Sequence, residues 1–400
     1  MLEVMNLFVG FKARKAPFRL NALVIAGGVG LVTTALLGAL IYHPFESSPW
    51  PQALPAIGSP SHEAIPPELI WGVSWHPERL EDSSGGYQDQ LKAVGDLGVG
   101  LIRFDVHWNR MQPTADQPID LAGLPYFRSL ITDAKSKGLQ IKVNLGGYPS
   151  WAVKLANETP DDFFSRYRTY VRSVVATLGS DVDYYQMGNE FNTILDPIPE
   201  PLDGRLFREA RAEIDGQKAK QPGWRVKTVI NVCDTFYLPW QDDLERVMEE
   251  SADAIDVIGY DFYPGNYSHP HDWSAWQALQ TLASVMQRYD KEGAICETGC
   301  PAFLGEGRQA RWIAKSARAL GQEIARSPMR DRFLFAVFYE LADDPHLKAW
   351  PPPTENSFGL IAADGRRKPG FDAFRQVIAP HGPQGPRAQS ERPIGREAGR

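Results

Sequence analysis

Two glutamates in this 400-residue chain stand where short apolar runs give way to turns. Tyr184-Tyr185-Gln186-Met187-Gly188 delivers Asn189-Glu190, and Ala294-Ile295-Cys296 delivers Glu297 ahead of Thr298-Gly299. An apolar run of four to eight residues bounded by turn residues reads as a buried strand. A carboxylate at the tip of such a strand sheds part of its hydration, and its pKa rises toward the range where it can donate and recover a proton. Either glutamate alone reads as an ordinary strand-end charge. Together they offer one acid/base and one nucleophile, the pair of groups that breaks a glycosidic bond.

The rest of the chain alternates short apolar runs with amphipathic stretches, which is the pattern of βα units around a parallel sheet. Strands are expected at 70–75, 100–106, 139–145, 183–188, 225–232, 254–261, 294–297 and 333–339. Helices are expected at 87–97, 124–136, 160–178, 204–220, 242–250, 273–289, 309–325 and 370–378. Eight of each is the count of an α/β chain closed as a (β/α)8 TIM barrel, whose active site lies at the carboxyl ends of the strands.

With both glutamates at such ends, the stretch from Leu69 to Ile378 resembles the large clan A of retaining (β/α)8 glycoside hydrolases, and is most similar to the cellulase-like family 5 and the xylosidase-like family 39. The resemblance makes Glu190, after Asn189 on strand four, the acid/base. It makes Glu297 on strand seven the nucleophile and gives Asn189 a contact to the sugar. Arg103, inside the apolar run Ile102-Arg103-Phe104, needs a buried anion, and Glu297 would serve. The resemblance also marks His107 and Trp108 after strand two as sugar-contacting positions. Asn144 ends strand three ahead of Gly146-Gly147, and Trp151 stands either as a platform for a sugar face or as a cap on a helix against the barrel rim. A tyrosine near the end of strand six is expected to bond the nucleophile. By alternation Tyr260 and Phe262 share one face and Asp261 and Tyr263 the other, so both Tyr260 and Tyr263 stand as candidates, with Tyr263 favoured at the turn. Two positions depart from the pattern. Phe191 stands where a proline usually follows Asn-Glu, and Tyr339 stands at the end of strand eight where a tryptophan is usual, with Trp350 a second candidate for that role. Asn356-Ser357-Phe358-Gly359-Leu360 resembles the last loop of these enzymes.

Apolar residues make up 43% and charged residues 23%, enough for a large core, and the net charge of −7 argues against nucleic acid as a partner. Residues 22–42 carry no charge and follow Lys12, Arg14, Lys15 and Arg19. At about 1.5 Å per residue they can cross a bilayer, and the basic flank would keep the amino terminus inside. The organisation expected is therefore a basic segment 1–19, a transmembrane signal anchor 20–43, a Pro-rich linker 44–67 with seven prolines, a barrel 68–379 and a disordered tail 380–400. This places a single-pass protein in the cell membrane with its barrel extracytoplasmic; a cleaved signal peptide and secretion is the alternative. A carbohydrate substrate, a monomer, and no cofactor or metal are expected. His269-Pro270-His271 lacks zinc-helix spacing, and neither a phosphate loop nor a serine elbow is present. Cys233, Cys296 and Cys300 read as small buried apolar side chains, with a local Cys296–Cys300 bridge as the alternative. The competing function is a non-catalytic, membrane-tethered polysaccharide-binding barrel.

Overall fold

Eight parallel strands close on themselves in sequence order, β1 pairing with β2 on one side and β8 on the other. They are β1 (Ile70–Ser74), β2 (Leu101–His107), β3 (Gln140–Gly146), β4 (Tyr184–Met187), β5 (Lys227–Cys233), β6 (Val257–Asp261), β7 (Glu292–Thr298) and β8 (Phe333–Phe338). Besides the single turn Trp108–Met111, the helices are α1 (Gly86–Leu97), α2 (Leu124–Ser136), α3 (Ser150–Glu158), α4 (Pro160–Leu178), α5 (Asp203–Lys218), α6 (Trp240–Ser251), α7 (Leu279–Arg288), α8 (Glu306–Arg326) and α9 (Pro369–Ile378). The chain is a (β/α)8 barrel. This computed structural model describes residues 69–77, 86–193, 196–234, 240–266, 272–344 and 355–379. The expected anchor, linker and tail lie outside the described residues, as do Trp350 and His269-Pro270-His271. Among the described residues no helix is long and apolar enough to cross a membrane.

The strand positions match the expected ones closely, and the differences have local causes. β6 starts at Val257 rather than 254, because residues 252–254 form a 3-10 turn and Asp256 ties the strand entrance to Thr228. α7 starts at Leu279 rather than 273, because the Asp272 carboxylate accepts from both the backbone N–H and the hydroxyl of Ser274 and holds a turn. α3 was not anticipated; it is a separate two-turn piece, stopped by Thr159-Pro160, where the proline opens α4.

Each strand has two faces, and the two are filled differently. On β2, Phe104 and Val106 face outward, into the layer between sheet and helices that holds most of the core. Leu101 belongs instead to a second cluster with Tyr184, Val229, Val257, Ala294, Cys296, Phe335 and Val337, the inside of the barrel toward its amino-terminal end. Further along the same faces the side chains turn polar: Arg103 follows Leu101, Gln186 follows Tyr184, Asn231 follows Val229, and Asp261 lies on the Val257 face. The barrel is thus apolar at its base and filled with buried polar groups at its mouth.

Candidate active site

Glu297, near the end of β7, is 6% exposed, and each of its carboxylate oxygens is addressed separately. Arg103 of β2 donates from Nη1 to Oε1. The Tyr263 hydroxyl, just past β6, donates to Oε2 at 2.7 Å. Two donors, one on β2 and one in the turn after β6, fix the carboxylate plane. Burial alone would lower the Arg103 pKa, but Glu297, Asp105 and Asp261 reverse the effect and keep the guanidinium charged.

Glu190 reaches the same space from the turn after β4. Gly188 at φ 89 and Glu190 at φ 48 both adopt left-handed backbone, a conformation costing on the order of 1–3 kcal/mol at a non-glycine residue. The Glu190 N–H donates to Asn231 Oδ1 at 2.9 Å, and that bond holds the turn. One oxygen each from Glu190, Asp261 and Glu297 lie within 4.8 Å of one another. Glu190 is half-buried, and its pKa is pushed up to about 7, first by burial and then by the Glu297 charge. Asp261 is fully buried and is pushed well above its ordinary value by burial, Glu297 and Glu190. Three oxygen donors this close would also suit a hard cation. The Arg103 guanidinium already supplies positive charge to Glu297.

Asn189 is exposed at the mouth, yet its amide oxygen is held from below by four donors. Arg103 Nη2 lies at 3.2 Å, Gln186 Nε2 at 3.1 Å, Asn231 Nδ2 at 3.3 Å and Asn144 Nδ2 at 3.5 Å. With the oxygen so engaged, the Nδ2 group of Asn189 is the part left to address a ligand. Asp105, opposite on β2, accepts from Arg103 Nη2 at 3.4 Å and lies 3.6 Å from His107 Nε2 and 3.7 Å from His76 Nδ1. Burial would raise Asp105, but Arg103 and the two imidazoles outweigh it and hold the carboxyl well below its usual range. His76 also stands 3.4 Å from the buried Glu340 and edge-on to the half-buried Tyr339 ring, 6.0 Å away.

Of the residues expected at the site, Arg103, Asn144, Asn189, Glu190, Tyr263 and Glu297 converge, and His107 and Tyr339 flank them. Trp108 does not. It has no exposed surface, stacks on Tyr170 at 5.2 Å and donates from Nε1 to Gln112, so it is core. Tyr260 is also corrected: it faces outward on β6, stacks on Phe262 and donates to Asp234 at 2.6 Å. Trp151 is half-buried, packed edge-on against Trp108 and bonded to the Gln112 carbonyl at the rim. Cys233, Cys296 and Cys300 are buried thiols, so no bridge joins Cys296 to Cys300. The sequence reasoning missed His76, Lys142, Gln186, Asn231, Asp261 and Glu340. Four of them were signalled by polar residues at alternate positions of otherwise apolar strands, Lys142 and Asn144 in β3, Gln186 in β4, Asn231 in β5 and Asp261 in β6.

The family model of glycosyl hydrolase family 1 matches residues 80–197, the part that carries Arg103, Asn144, Asn189 and Glu190. The coniferin beta-glucosidase of Pinus contorta is 27% identical over 142 residues, 30% of this chain and 26% of that protein. Beta-glucosidase 22 of Oryza sativa subsp. japonica is 29% identical over 85 residues, 19% of this chain and 16% of that protein. Among solved structures, the GH5_18 protein of Bifidobacterium longum subsp. longum superposes with a TM-score of 0.60 at 19% identity, covering 78% of this chain and 79% of that one. Together these matches support a (β/α)8 glycoside hydrolase of clan A. The GH5_18 structure of Streptomyces cattleya in complex with GlcNAc has the same TM-score at 17% identity and covers 83% of each chain. This chain spans about a quarter or less of the length of the curated relatives it matches. Its family-model match falls on family 1, where families 5 and 39 were expected, and the family 5 structures share its fold.

Proposed function

We propose that this barrel hydrolyses β-glycosidic bonds of an oligosaccharide or polysaccharide with retention of configuration. The observation that carries the reading is the approach of Glu190 and Glu297 to within 4.8 Å from β4 and β7 of one closed barrel. Retaining pairs stand about 5–5.5 Å apart, while inverting pairs leave room for a water at about 6.5–9.5 Å. Glu190, kept protonated by burial and by Glu297, protonates the leaving oxygen. Glu297, oriented by Arg103 and Tyr263, attacks the anomeric carbon. Glu190, now anionic, takes a proton from the water that releases the sugar. Asn189 donates to the 2-hydroxyl, a bond that strengthens as the ring becomes oxocarbenium-like. Tyr339, beside His76, lines the wall below the sugar.

The beta-glucosidase relatives favour a β-glucoside as the first substrate to try. Of the two tryptophans expected to meet the sugar, Trp108 is core and Trp151 remains at the rim. The test is a panel of 4-nitrophenyl β-glycosides with β-glucans, xylan, mannan and galactan, followed by proton NMR of the first product. Release of the β-anomer ahead of mutarotation supports the reading. The α-anomer first, or binding with no new reducing ends, overturns it.

We also propose where the barrel works. Residues 22–42, behind the basic flank, act as a signal anchor that leaves the barrel extracytoplasmic and tethered to the membrane. Cell fractionation of the full chain checks this: recovery with membranes supports the anchor, and a soluble form trimmed near Tyr42 contradicts it.

A further inference from the structure

Beneath the two glutamates lies a fully buried lysine that the mechanism above does not use. Lys142 sits on β3 inside the barrel, and among the described residues no carboxylate forms an ion pair with it. Its ammonium donates instead to two side-chain amide oxygens, Gln186 Oε1 and Asn144 Oδ1, the latter at 3.2 Å. An ammonium has three donors and no acceptor, so it can face only the oxygen end of an amide. Both amides are thereby forced to point their N–H groups upward and away from it.

What they point at is the acid/base turn. Gln186 Nε2 donates to Asn231 Oδ1 at 2.9 Å, to the Gly188 carbonyl at 2.9 Å and to Asn189 Oδ1 at 3.1 Å. Asn144 Nδ2 lies 3.5 Å from the same Asn189 oxygen. Asn231, its oxygen taken by Gln186 and by the Glu190 N–H, donates onward from Nδ2 to Asp261 Oδ2 at 2.5 Å. The series ammonium, Gln186 amide, Asn231 amide, carboxyl runs in one direction only, with a cation at the donor end and an acid at the acceptor end. Bonds arranged head to tail polarise one another, and reversing any amide would set donor against donor.

We propose that Lys142 is a positioning residue for the acid/base turn: by fixing the direction of the Gln186 and Asn231 amides it turns Asn189 Nδ2 toward the sugar and holds the backbone of Glu190. The proposal rests on the retaining-hydrolase reading only for the word acid/base; the arrangement it describes can be tested without turnover. Holding a charge in the barrel has a cost. Burial first, and then the Arg103 charge, oppose protonation of Lys142, while Cys296, Asp261 and Glu297 support it, and its pKa falls to about 8. A lone buried ammonium held by neutral amides is a liability for stability, and its retention is explained by what it orients.

The test replaces the lysine with a nearly isosteric apolar chain, Lys142→Met, and separately breaks the chain above it with Gln186→Glu. The glutamate can pair with Lys142 but has no N–H to give Asn231 or Asn189. Crystal structures of both variants should show the Asn189 side chain turned from its wild-type position, and the hydrogen bond from the Glu190 N–H to Asn231 broken or lengthened. On whichever β-glycoside the wild type cleaves, kcat should fall about 10- to 100-fold with KM changed less than about threefold. The melting temperature of Lys142→Met should be equal to or above that of wild type, the opposite direction from its activity. An unmoved Asn189 with full kcat in either variant overturns the proposal. So does a loss of activity matched in both variants by a loss of melting temperature, since that is a structural role alone. A wild type that cleaves no glycoside defeats the hydrolase reading, and the position of Asn189 in the two crystal structures still decides the role of Lys142.

Discussion

The two ends of the barrel treat charge in opposite ways. At the amino-terminal rim, Arg211 meets both Asp256 and Asp215, Lys227 meets Glu292 and Arg332 meets Asp290 around a cavity of about 410 Å³, and these ion pairs are partly exposed. At the carboxyl-terminal mouth nothing is paired off so evenly. Among the described residues, Glu297 alone of the Glu190, Asp261 and Glu297 group meets a cation directly, Arg103, while Lys142 is spent on amides. Charge at the rim is met by partly exposed ion pairs, whereas the mouth holds carboxyls with raised pKa values. Perturbed groups of this kind are what chemistry needs and what stability alone would avoid.

The contrast is broken most severely at Glu297. Glu297→Ala should lower kcat by about 10⁴-fold or more, the upper end of what one catalytic group contributes. Next comes Glu190→Ala, with a loss of about 10²–10⁴-fold on substrates whose leaving group needs a proton. Added azide should restore part of that activity by replacing water as the second nucleophile, giving a β-glycosyl azide detectable by mass spectrometry. Equal activity of both variants and wild type would remove the site from the mouth altogether.

A subtler effect concerns pH. Glu190 has a folded pKa of about 7, raised above its ordinary value, so its protonated form favours the fold most at low pH. That contribution is complete below the unfolded carboxyl pKa of about 4.3 and is lost as pH rises through about 7. Glu190→Gln keeps the shape and removes the charge. At pH 8 it should melt roughly 2–4 °C above wild type, and at pH 4 the two should coincide. The same proton should give the wild type an alkaline limb in kcat/KM near pH 7. Smallest of all is the rim: Lys227→Met breaks a partly exposed pair and should change stability by about 1 kcal/mol or less with kcat untouched. A loss of activity there would mean the two ends are coupled.

How much of this was legible in the chain follows from which forces write themselves into sequence. Strand tips are local: Glu190 and Glu297 announce themselves because an acid follows an apolar run and precedes a turn. Arg103 is legible for the same reason, as a charge that a buried strand cannot carry without an anion, and Glu297 is that anion. Trp108 and Tyr260 were misplaced because being aromatic near a strand end says nothing about direction. Alternation from Arg103 sets His107 on the inner face, while Trp108 begins a helical turn and Tyr260 lies out of phase with Asp261 and Tyr263. The amide chain from Lys142 to Asp261 crosses β3, β4, β5 and β6, and only the register of the closed barrel brings those positions together. Each member alone is one polar residue in a strand.

The central claim is that Glu297 forms a covalent bond to the sugar while Glu190 supplies and recovers the proton. Incubation with 2,4-dinitrophenyl 2-deoxy-2-fluoro-β-D-glucoside, whose fluorine slows release of the glycosyl enzyme, tests it directly when the digested protein is mapped by tandem mass spectrometry. A fluoroglycosyl group on Glu297, formed in step with one equivalent of dinitrophenolate and absent from Glu297→Gln, is the predicted result. A label on Glu190 or Asp261, or continued release of dinitrophenolate by wild type with no labelled peptide, would contradict the account.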